Sequence, residues 1–141
     1  MLSRERFAWV WITALVVVLG LYFAAVSLTH YTHPELSFLG RIGLLAIALG
    51  TLAVIALATW LYGHFRERDD VAEDERDRFI DRRASRVAYY VLLAGIIYAG
   101  MVLPFTHGGW DIVHAALFWI AAAEIVHSSM ILIGYRRGWH A

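Results

Sequence analysis

The sequence predicts an all-α membrane protein: four transmembrane helices in an up-down antiparallel bundle, with a charged cytoplasmic helix continuing into the third span. Three observations predict it. The 141 residues are 60% hydrophobic with a mean hydropathy of +0.60, against about half apolar in an ordinary soluble domain. Four apolar stretches reach, or nearly reach, the roughly 20 residues that a hydrocarbon core requires. Most of the charge, 17% of residues, is gathered into one block between the second and third stretches.

The first span, about 7–29, carries no charged side chain. A helix of a soluble bundle needs a polar stripe, and Val10–Phe23 has none; its polar groups are Thr13, the Trp11 indole and the Tyr22 phenol. Its apolar core exceeds the roughly 7–15 residues of a secretory signal, and no clear small-residue cleavage site follows. It is therefore read as a retained span.

The second span, about 38–65, has Arg41 near its start and His64 near its end. The third, about 87–103, is the shortest. The fourth, about 110–135, contains His114, Glu124 and His127. Each must be helical, because lipid offers no partner to an exposed backbone group. Ala46 and Gly50 in the second span and Ala121–Ala123 in the fourth are small faces that permit close helix contact. One membrane domain, 1–141, accounts for the whole chain.

Arginine sets the orientation. All twelve basic side chains are arginine, and eleven lie before span one, between spans two and three, or after span four. By the positive-inside rule these segments and both termini are cytoplasmic, which in a bacterium means a multi-pass protein of the inner membrane. Trp9, Trp11, Trp60, Trp110 and Trp139 fall near the predicted interfaces, whereas Trp119 sits deeper.

The charged block, about 70–86, is ordered. Acids precede arginines, which suits a helix dipole. Asp74 and Arg78 form an i,i+4 acid-before-base pair. Phe79, Ile80, Ala84 and Val87 form a short apolar stripe, and no Gly or Pro intervenes from Ala72 to Leu93. One helix is expected from the cytoplasm into span three. Its bland role is a solvated, self-paired segment; its functional role is a docking surface carried by Arg76, Arg78, Arg82 and Arg83.

The stretch "DERDRFIDRRASRVAYYVL", followed by a span with a mid-helix Glu and a terminal "YRRG", resembles a family of small predicted bacterial integral membrane proteins of unknown function. The matching positions are Asp74, Glu75, Arg76, Ile80, Arg83, Ala84, Ala88 and Tyr89, then Glu124, Tyr135, Arg136, Arg137 and Gly138. The resemblance covers residues 74–138. It implies a membrane protein and no particular activity, and the histidines stand outside it.

Composition removes several chemistries. With no cysteine there are no disulfides, thiolate metal sites or thiol nucleophiles. With no lysine there is no Schiff-base chemistry. Zero formal net charge gives no bulk field for nucleic acid. The expected partners are the lipid bilayer and either further copies of the chain or another membrane protein.

The remaining chemistry lies in histidines and one glutamate. His30, His33, His107 and His114, with Asp111, fall in or beside the two short outer gaps. Packed hairpins would bring them to one end. Imidazole and carboxylate suit zinc or divalent copper; the bland alternative is that these histidines cap helix ends at a wet interface. Haem b ranks behind both ions: His114 and His127 differ by about 140° around the helix, and span three supplies no axial histidine. Glu124 and His127 are one turn apart. Counted inward from Tyr135 at 1.5 Å per residue, Glu124 lies about 16 Å deep. There it would be neutral and bonded to His127, Ser128 or Ser129, or charged and paired with a cation. A di-metal carboxylate site is excluded, since no second intramembrane carboxylate exists.

Three functions follow from these features. The leading one is a non-enzymatic accessory or ligand-responsive subunit of a membrane complex. The second is a metal- or haem-binding redox or transport protein using the outer histidines. The third is a proton-coupled small transporter centred on Glu124, for which four spans are few unless the chain dimerises.

Overall fold

A computed structural model describes residues 3–32, 38–66 and 75–137. Four long helices make up most of them: α1 (Ser3–Thr32), α2 (Phe38–Arg66), α3 (Glu75–Ile97) and α4 (Gly109–Arg137). A π-helical turn, Tyr98–Val102, and a 3₁₀ turn, Leu103–Phe105, link α3 to α4. No strand occurs among the described residues. Four segments are long and apolar enough to cross a membrane: Arg6–Thr29, Phe38–Tyr62, Arg78–Phe105 and Gly109–Arg137.

The exposure pattern fits lipid as the surrounding solvent. Leu21, Ile47, Val54 and Met101 are each 67% exposed or more. A soluble helix turns such residues inward. Here they stand on the outside of segments that contain few polar groups, where hydrocarbon contact carries no hydrophobic penalty.

The chain divides into two compact units. One is Thr13–Val71. In it Leu15, Leu19 and Tyr22 form a buried i,i+4,i+7 stripe on α1, and Ala48 and Leu52 are buried on α2. Thr51 and Thr59 donate their hydroxyls to the carbonyls of Ile47 and Ile55, so neither presents an unmet donor.

The other unit joins Met1–Ile12 to Ala72–Ala141 and is built on the α3–α4 hairpin. Partners along it run in opposite directions. Tyr98 and Trp119 stand with ring centroids 6.4 Å apart near the turn, and Ser85 meets His127 far from it. The pairing is antiparallel. Gly95 faces the root of the Trp119 side chain: a Cβ there would fall within 3.0 Å of Trp119 Cβ, Cγ and Cδ2. Only hydrogen fits in that space.

The expected continuous helix through the charged block is present from Glu75; residues 70–74 lie outside those described. Ile80 is 1% exposed and Ala84 0%. The centre of the apolar stripe thus packs fully, although arginines surround it in sequence, while Phe79 is half-buried and Val87 exposed. The regular helix ends at Ile97 because Pro104 has no N–H for the carbonyl four residues back. The chain widens into the π turn, then tightens to a 3₁₀ turn with Pro104 in its first positions.

Candidate functional site

The polar side chains of the hairpin unit gather at its two ends. At the turn end, α4 begins with a reciprocal cap. Gly108 is the last residue before the helix, and its N–H donates to Asp111 Oδ2 at 3.2 Å. An acid at the third helical position satisfies one of the orphan donors of the first turn and suits its dipole. His107 Nδ1 lies 2.7 Å from Thr106 Oγ1. The His114 ring stacks at a tilt on Trp110, centroids 6.1 Å apart, one helical turn away.

Asp111 is thus engaged in the cap, His107 with its neighbouring hydroxyl, and His114 with an indole. Among the described residues no three His, Asp or Glu side chains converge as a metal site would require. The side chains of His30 and His33 lie outside the described residues.

The opposite end holds the denser arrangement. Glu124, partly buried on α4, accepts a hydrogen bond from the Trp11 indole N–H, Nε1 to Oε2 3.0 Å. Its partner therefore comes from α1, not from the neighbouring His127, Ser128 or Ser129 that the sequence suggested. His127 turns to α3 instead. Its Nε2 lies 3.3 Å from Ser85 Oγ and 3.6 Å from Asp81 Oδ1. Ser128 is 3% exposed on the packed face of α4.

This register bears on depth. Asp81 and Ser85 belong to the charged block, and His127 stands level with them. Glu124 stands one turn further along α4 from that level. Beyond His127, α4 runs beside the arginine-rich turns of α3. There the Arg136 guanidinium sits over the Trp9 ring, 5.9 Å from its centroid. Trp9, Ile12, Ser129, Leu132, Ile133 and Arg136 line an open groove of about 340 Å³ between α1 and α4.

Of the arginines read as a docking surface, Arg78, Arg82 and Arg83 are exposed on α3, and the Arg76 side chain lies outside the described residues. Arg78, Arg82 and Arg86 occupy the face opposite Ile80 and Ala84, and Arg83 lies to one side of it.

Comparison with known families adds the class. A family described as "Predicted membrane protein (DUF2178)" matches residues 5–138. The chain belongs to that family. The DUF2178 match takes in all four helices, so it extends well beyond the second-half motif that first suggested a membrane family. No curated protein and no solved structure matches the chain. Besides the His127 contacts with α3, two features of this DUF2178 member escaped sequence reasoning: the Trp11–Glu124 bond and the Trp9–Arg136 stack. Each joins residues more than 100 positions apart, and the one available hint was the aromatic pair beside the first arginines.

Proposed function

We propose that this DUF2178 protein is a non-enzymatic accessory subunit of a membrane complex, with both termini and the charged turns of α3 on the cytoplasmic side of a bacterial inner membrane. The observation that carries the reading is the complete burial of Ile80 and Ala84 within the charged block. A merely solvated segment has no reason to pack there. Packing fixes the helix about its axis and keeps Arg78, Arg82 and Arg83 exposed on it. Because α3 continues without a break into its span, a partner docked on these arginines is coupled directly to the α3–α4 hairpin.

Arginines on a packed helix suit recognition better than a flexible tail does. Guanidinium groups make planar, two-pronged bonds to carboxylates and phosphates, and preorganisation lowers the ordering cost of binding. A protein face rich in Asp and Glu is the chemistry such a surface would meet.

The test is native gel migration of the protein extracted from its own membranes under mild detergent. The wild type is expected to run in a complex larger than its detergent-bound monomer. Arg82→Glu together with Arg83→Glu is expected to release it while the isolated protein keeps its helicity. Migration of the wild type as a lone monomer, or an undisturbed complex in the charge-reversed variant, contradicts the reading.

A further inference from the structure

We propose that the groove between the first turns of α1 and the last turns of α4 is a binding site for one anionic phospholipid, with the phosphate on Arg136 and an acyl chain along Ile12, Leu132 and Ile133.

Position, shape and charge each support this occupant. By the α3–α4 register, α4 beyond His127 lies beside the charged turns of α3, the level at which lipid headgroups meet the protein. The groove runs along the helix axes. Trp9 and Arg136 form its outer end, and Ile12 and Ser129 its inner end. Leu132, 8% exposed, is its floor, and Ile133, 38% exposed, is a wall. An open, mostly apolar groove with a cation at one end has the polarity of a phospholipid seen from the side.

The details favour an anionic headgroup. Stacking on Trp9 restrains the Arg136 guanidinium and leaves its N–H edges to reach phosphate oxygens in two-pronged fashion. Tryptophan is itself at home at this level, with its ring in the acyl boundary and its N–H toward the headgroups. Among the described residues no carboxylate lines the groove. Glu124, bonded to Trp11, stands about 18 Å along α4 from Arg136 at 1.5 Å per residue, too far to pair with the mouth. A zwitterionic headgroup would bring its own cation against Arg136; a phosphatidylglycerol headgroup brings none.

Native mass spectrometry of the full-length protein, released from nanodiscs of phosphatidylcholine doped with phosphatidylglycerol, tests this. The wild type is expected to retain one phosphatidylglycerol in preference to phosphatidylcholine. Arg136→Gln is expected to weaken that retention about fivefold, the effect of losing one interfacial arginine contact of about 1 kcal/mol. Ile133→Trp, which fills the groove and keeps every charge, is expected to lose the lipid as well and decides the matter if the arginine variant fails to fold. Arg137→Gln, beside the groove but not in it, is expected to keep the lipid. Inorganic phosphate in excess is expected to leave occupancy unchanged. Equal retention of both lipids, full retention in Ile133→Trp, equal loss in Arg137→Gln, or displacement by inorganic phosphate would overturn the assignment.

Discussion

At the residue scale, Gly95 separates two effects of opposite sign. Placing alanine in a helix usually stabilises it by roughly 1 kcal/mol relative to glycine. At position 95 the added methyl would collide with the root of the Trp119 side chain, which cannot swing away. Overpacking of a tight contact costs about 1–3 kcal/mol, so the collision wins. Gly95→Ala is expected to lower stability by about 1 kcal/mol or more in a denaturing-detergent titration. A more stable variant would show that α3 and α4 do not approach closely there. The same scale sets the limit of what sequence could reveal. Glu124 and His127 stood out at once, because ionisable groups in an apolar run are costly. Their partners did not, because one-dimensional spacing exposes neighbours on one helix, and both residues bond to other helices. Asp111 is a different case. Its role is local, three residues from Gly108, yet the capping alternative was read for the histidines and not for this acid.

At the element scale, α3 is the informative helix. A run so rich in Asp, Glu and Arg reads as solvated surface, and Ile80 with Ala84 looks too sparse to anchor it. Both are nevertheless fully covered. Ile80→Ala would leave a cavity where isoleucine is 1% exposed, and such truncations cost about 2–5 kcal/mol. A solvated helix would change by less than about 0.5 kcal/mol. Chemical denaturation, or amide exchange over residues 75–90, is expected to show the large loss; a change within the smaller range would return this segment to solvent and remove the basis for the arginine docking surface. The end of the helix was less legible. The third apolar stretch was read to about residue 103, but the π turn followed by a 3₁₀ turn that closes it was not, because local propensity does not encode that choice.

At the scale of the whole molecule, length and apolarity were enough to reveal four spans, since bilayer thickness imposes a single rule on every segment. The family match over residues 5–138 agrees with that class. The direction of the spans rests on where the arginines lie, and both the proposed partner surface and the proposed lipid groove belong to the arginine-rich end. The most direct measurement is single-cysteine labelling, which is clean here because the chain has no cysteine of its own. In intact cells a membrane-impermeant maleimide is expected to label Gly108→Cys, in the α3–α4 turn. Arg82→Cys, on the charged block, is expected to react only after permeabilisation. Labelling of Arg82→Cys in intact cells, with Gly108→Cys protected, would contradict the account.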